Sequence, residues 1–226
     1  MNIQSPFRCF SWNALLFLLL SASFAFAEPA NYPKFVNVLG QPNFSSSGVV
    51  DPPTASSLNA PEGIAIDPAT GKLFIADAGN NRVLRFSSTS VYETGAAAEA
   101  VLGQATFTTK ASVLSATSMS FPTGIFIDHL GRLWVADFGN DRVLRFDNAA
   151  TIASGSPANA VVGQPDLDSN VDPGPTPHSK FDGPVCVIVD KNDALWVSDF
   201  RHNRVLSFNN ASSLGVDLTA DVVLGQ

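Results

Sequence analysis

Apolar runs closed by an aspartate recur along this chain. Gly63-Ile64-Ala65-Ile66-Asp67 is matched by Gly124-Ile125-Phe126-Ile127-Asp128 and by Cys186-Val187-Ile188-Val189-Asp190. Each follows a proline (Pro61, Pro122, Pro184) with one residue between. Such runs predict strands covered on both faces. Gly, Pro and Asn in the next residues, 68–72, 129–132 and 191–194, predict hairpin loops. A second apolar run then ends in Asp77, Asp137 or Asp199, and a third segment, Arg82-Val83-Leu84-Arg85-Phe86, alternates in character. Its copies lie at 142–146 and 204–208, where Arg85 and Arg145 give way to Ser207 while Leu and Phe stay. That tolerance predicts a position facing solvent or an edge. A fourth strand is expected to end in Val-Leu-Gly-Gln at Gln41, Gln104 and Gln226, and in Val-Val-Gly-Gln at Gln164.

The glutamines lie 63, 60 and 62 residues apart. A fixed period of this size, with four strands per unit, predicts an all-β chain of about three four-stranded blades. An apolar sheet of this kind cannot bury both faces alone. Stacking like sheets radially does so, giving a β-propeller. The predicted divisions are a segment at 28–41 with one outer strand at 35–40, then blades at 42–104, 105–164 and 165–226. The ring is expected to be open or incomplete in one chain.

Residues 61–86, Pro-x-Gly-Ile-Ala-Ile-Asp through Asp-Ala-Gly-Asn-Asn-Arg-Val-Leu-Arg-Phe, with copies at 122–146 and 184–208, resemble the NHL-repeat family. The resemblance implies an NHL-type propeller, usually with six blades, and no single function. That family includes scaffolds, ligand-binding receptors, RNA binders and a few lyases. Its amidating lyases depend on histidine-bound metal. Here the histidines are His129, His178 and His202. They fall in different connections, with His129 on the opposite rim from the other two, and no three-histidine zinc site assembles. Gluconolactonase-like propellers use acidic and amide ligands in the channel, and no matching set stands out here.

Residues 1–27 read as a secretory signal: Arg8, an apolar run at 14–20, then Ala25-Phe26-Ala27 for cleavage. The mature chain is expected outside the cell or in the periplasm, without membrane insertion. With Arg8 removed, 12 of the 13 Lys+Arg remain against 20 Asp+Glu, a formal charge of −8. That balance disfavours nucleic acid and anionic membranes. Cys9 leaves with the signal, so Cys186 is left without an internal disulfide partner. Asn43-Phe44-Ser45 and Asn210-Ala211-Ser212 are glycosylation sequons.

The pairs Asp77/Arg82, Asp137/Arg142 and Asp199/Arg204 recur with the same spacing, which argues for structure rather than catalysis. The aspartate is expected to close a turn, with Gly79 and Gly139 supplying positive φ and Asn80 or Asn140 the left-handed region. Asp67, Asp128 and Asp190 ring one mouth; calcium is one reading of them and self-bonded hairpins the other. No cofactor is called for. The candidates for binding are the positions that fail to repeat: Phe138, His178, Phe200, Arg201 and His202. The expected role is a non-catalytic scaffold for a protein, peptide or glycan, with a metal-dependent lyase or lactonase as the alternative. Three blades leave a ring to complete. Either the chain is part of a longer product, or a homodimer forms a six-bladed ring, with the strand at 36–40 completing a blade of the partner.

Overall fold

A computed structural model of the chain describes residues 36–90, 93–171, 180–215 and 219–225. Residues 1–27, expected to be a signal, and His178 lie outside the described residues. The described residues form three separate four-stranded antiparallel sheets. Blade A consists of β1 (Pro61–Ile66), β2 (Leu73–Asp77), β3 (Arg82–Phe86) and β4 (Ala100–Leu102). Blade B consists of β5 (Pro122–Ile127), β6 (Leu133–Asp137), β7 (Arg142–Phe146) and β8 (Ala160–Val162). Blade C consists of β9 (Pro184–Val189), β10 (Leu195–Asp199), β11 (Arg204–Phe208) and β12 (Val222–Leu224). Strand order follows sequence order in every blade, and the sheets do not close on themselves.

The pleat gives each blade two faces. In blade B the front face carries Ile125, Ile127, Leu133, Val135, Leu144, Phe146 and Val161, which pack in one core against Phe74, Ala76, Val83 and Leu102 of blade A. The back face of B carries Trp134, Ala136, Val143 and Val162, packed against Val187, Val189, Leu195, Val197, Leu206 and Phe208 of blade C. The repeat therefore encodes one interface twice, back face to next front face.

The inner strands are covered on both faces only where a neighbour exists. Ile125 and Ile127 are 8% and 6% exposed, whereas their counterparts Ile64 and Ile66 in blade A are 72% and 63% exposed. Ile188, on the back of blade C, is also exposed. The expectation of two covered faces thus fails at the two ends. Each inner strand also starts at its proline rather than two residues later (at Gly63, Gly124 or Cys186), with an irregular register near its start. In blades A and B the glycine allows close approach: a Cβ on Gly63 would sit 2.4 Å from the Thr123 carbonyl oxygen, and one on Gly124 2.4 Å from that of Val185.

The position predicted to face solvent or an edge is buried. Arg85 and Ser207 are 7% and 1% exposed. Arg85 Nη1 donates to the carbonyls of Ala149 and Ile152 in blade B, at 2.7 and 2.8 Å. Arg145 Nη1 likewise reaches Leu214 O of blade C at 2.8 Å. Ser207 replaces this arginine in blade C, behind which the described residues place no further blade. No helix among the described residues is long and apolar enough to cross a membrane.

Candidate functional site

The charged pairs of the repeat sit in closed cradles. Asp77 and Arg82 are fully buried, with Nε to Oδ2 at 2.7 Å. The other Asp77 oxygen accepts from Asn59 N at 2.6 Å, and Asn80 Nδ2 adds a bond at 2.9 Å. The Arg82 guanidinium also donates to Thr54 O, Ser57 O and Phe107 O. Blade B repeats the set: Arg142 holds Asp137 at 2.7 Å and reaches Ser115 O, Ser118 O and Leu167 O. In blade C Arg204 pairs with Asp199 at 2.8 Å, and His202 Nδ1 takes the asparagine's place at 2.9 Å from Asp199 Oδ2. A buried, paired and hydrogen-bonded charge meets the conditions for burial, and it leaves little capacity for a substrate. Cradles of this kind tie the β2–β3 turn to the loop before β1 and make the rim rigid.

The turns differ from expectation in one detail. The left-handed residue is Asn81, Asp141 or Asn203, at φ of 55°, 52° and 53°. It comes one place after Asn80 and Asn140, and Gly79 and Gly139 do not have positive φ. These two glycines are needed for space: a Cβ on Gly79 would lie 2.5 Å from Asn59 Nδ2, and one on Gly139 2.4 Å from Ser120 Oγ. Arg201 stands at that glycine position without a left-handed backbone, its N–H donating to Asp182 O at 3.1 Å.

The left-handed residues serve as clamps that the sequence reading missed. Asn81 Oδ1 accepts from Phe121 N at 2.8 Å, and Asp141 Oδ1 from Gly183 N at 2.7 Å. Each bond runs to the next blade. The available signal was the Asn, Asp, Asn series itself: a short side-chain acceptor on a residue type that tolerates the left-handed region. Burial pushes the Asp141 carboxyl up, the Gly183 N–H bond opposes this, and the charges of Asp182 and Asp199 add to the rise.

Of the candidate binding residues, the fold brings Phe138 and Arg201 together. The Arg201 guanidinium carbon lies 5.0 Å from the Phe138 ring centroid, and Nη1 pairs with Asp182 at 2.8 Å. Phe121 joins edge-on to Phe138, ring centres 6.2 Å apart. Phe121 and Arg201 are exposed and Phe138 and Phe200 half-buried. His202 turns inward to its cradle. At the A–B junction the matching residues are Ala60, Ala78 and Gly139, so this patch exists at the B–C junction alone among the described blades.

On the other rim the strand-end aspartates bond their own hairpins. Asp67 accepts from Ala69 N and Thr70 Oγ1. Asp128 accepts from Leu130 N, Arg132 and Trp134 Nε1, and Asp190 from Asn192 N, Ala194 N and Trp196 Nε1. The bonds from Ala194 and Trp196 hold the half-buried Asp190 below the usual carboxylate range. Among the described residues no group of three or more His, Cys, Asp or Glu side chains has the arrangement to hold a metal ion.

The family model for the NHL repeat matches residues 58–86, from the loop before β1 through β3. Residues 58–86 are an NHL repeat. Blades B and C reproduce its strand order and cradle. No curated protein matches the chain in sequence. Similar solved structures include a luciferin-regenerating enzyme, at 21% identity and a TM-score of 0.43 over 74% of this chain and 45% of that one. A gluconolactonase from Xanthomonas campestris aligns at 20% identity and a TM-score of 0.44, over 72% of this chain and 48% of that one. A nidogen–laminin complex aligns at 18% identity and a TM-score of 0.35, over 75% and 65%. The chain thus spans about half the length of the first two. The structures similar to it include both enzymes and binding proteins.

Proposed function

We propose that this NHL-repeat chain is an exported, non-catalytic binding scaffold whose rim at the junction of blades B and C takes a peptide or glycan. One observation carries the reading. The charges that repeat are committed to buried cradles, while Phe121, Arg201 and Asp182 do not repeat and meet around Phe138 at the surface. Aromatic faces beside a guanidinium and a carboxylate offer stacking and directional hydrogen bonds to a sugar or peptide. The rigid turns beneath them lower the ordering cost of binding.

A glycan array and a displayed peptide library, each probed with the protein from residue 28 onward, test the proposal. Specific ligands are expected, and Phe138→Ala with Arg201→Ala is expected to abolish their binding at unchanged melting temperature. Binding that survives the double substitution, or catalytic turnover of lactone substrates, would sink it.

A further inference from the structure

Asn81, Asp141 and Asn203 occupy one left-handed place in the three blades, and only the middle one is an acid. Asn81 uses both ends of its amide. Its Oδ1 accepts from Phe121 N at 2.8 Å, and its Nδ2 donates to Lys110 O at 2.8 Å. Asp141 uses one oxygen. Its Oδ1 accepts from Gly183 N at 2.7 Å. Its Oδ2 accepts no hydrogen bond among the described residues, and it is not one of their buried unpaired atoms, so it meets solvent.

The clamp does not need the acid, because an amide makes the same bond at Phe121. The charge is also unfavourable in the fold: burial first, then the carboxylates of Asp182 and Asp199, push it toward the protonated form. A charge that the clamp does not use and the fold resists is the mark of a contact made with something else.

Gly183 joins Asp141 to the aromatic patch of the B–C rim. A Cβ on Gly183 would lie 2.8 Å from the Phe138 ring, and the residue before it is Asp182. Arg201 shows the chemistry that this surface holds. Its guanidinium carbon lies 5.0 Å from the Phe138 centroid, and its Nη1 lies 2.8 Å from Asp182 Oδ1. Asp182 pairs with Arg201 and Asp199 with Arg204, whereas Asp141 makes no ion pair among the described residues. The chain as a whole carries a formal charge of −7, which draws in a cation.

We infer that the ligand of this rim is a peptide bearing an arginine or lysine side chain. The cationic head donates to Asp141 Oδ2, and the methylene stem lies along the Phe138–Phe121 pair. Arg201, exposed beside them, can donate to a peptide carbonyl. This rests on the B–C rim being the binding surface. A neutral sugar has no use for the charge, since an amide at position 141 would offer it both a donor and an acceptor.

The test selects a random peptide library, displayed on phage, against the full-length chain purified from its own host. Selected peptides are expected to share an Arg or Lys. Each is synthesised in that form and with citrulline for arginine, or norleucine for lysine. Both forms are titrated by calorimetry against wild type and Asp141→Asn. The neutral replacement should weaken binding to wild type about tenfold. Asp141→Asn should weaken the charged peptide by about the same factor, and the two losses should not add. The neutral peptide should bind both proteins alike, which separates a lost contact from a lost fold. Selection of no basic peptide, equal affinity for the neutral form, or additive losses overturns the inference. A glycan bound equally by wild type and Asp141→Asn, and lost with Phe138→Ala and Arg201→Ala, also overturns it but leaves the rim as the binding surface. Peptide binding that survives Phe138→Ala with Arg201→Ala overturns both.

Discussion

Blades B and C share their strands, their register and their buried Asp–Arg cradle, and differ on the face that each turns to the next blade. On the back of B, Trp134 is fully buried, with the guanidinium carbons of Arg132 and Arg145 at 5.6 and 5.8 Å from its ring centroid. On the back of C, Trp196 is half-buried and lines an apolar cleft with Cys186, Ile188 and Val205. Thr123 Oγ1 reaches Val185 O across the B–C junction at 3.0 Å, and Val185 stands in its place in C. The lesson is a division of labour within one repeat. The cradle residues build a blade, and a separate set on the back face (Thr, Gly, Trp, Arg) joins it to the next.

If that division holds, the largest effect comes from the shared set. Arg142→Met strands the buried Asp137 carboxylate and should cost about 3–5 kcal/mol in urea unfolding. Arg204→Met should cost a similar amount in blade C; a loss confined to one blade would break the comparison. Next comes exchange of the joining set. Gly124→Cys gives B the residue of C, with a Cβ 2.4 Å from Val185 O and 2.8 Å from Cys186 Cα. It should cost about 2–3 kcal/mol by overpacking, while Cys186→Gly should stay within about 1 kcal/mol.

Smaller still is Arg145→Ser, which removes the bond to Leu214 O and the contact with Trp134. A loss of about 1–2 kcal/mol is expected, with near-zero change for Ser207→Arg in the isolated chain. The smallest effect sharpens the clamp. Asp141→Asn keeps the acceptor for Gly183 N and removes the charge facing Asp182 and Asp199. Because folding raises the Asp141 pKa, the protonated form is favoured in the fold, and stability is lost as pH rises through that value. The asparagine variant should therefore melt about 1–2 °C higher at neutral pH, the gain vanishing below the ordinary carboxylate range, as scanning calorimetry against pH would show.

The blade itself was legible from the chain. The aspartate-closed runs, the alternating Arg-Val-Leu-x-Phe segment and the four glutamine markers place nearly every strand, because local pattern and period agree there. Arg85 and Arg145 were misplaced because period 2 tells which face a residue is on, not what covers that face. The Gly79 and Gly139 turns were misread for a related reason: a glycine needed for space looks the same in sequence as one needed for positive φ. Of the candidate rim, Phe138 and Arg201 meet, whereas His202 enters the cradle in place of asparagine. Phe121, Asp141 and Asp182 were missed, since their contacts run between blades at separations of about one period, which no local pattern encodes.

The clamps also bear on how the chain reaches its fold. Asn81 is tied to Phe121 across 40 residues, Asp141 to Gly183 across 42, and Arg85 to Ala149 across 64. These ties scale with the repeat, so loop-closure entropy is set by one period rather than by chain length. Each finished blade presents its acceptors to the one that follows, and growth from the N-terminus always adds onto a surface already formed. Folding can therefore keep pace with synthesis, one blade at a time, with the newest back face as the place where assembly continues or stops.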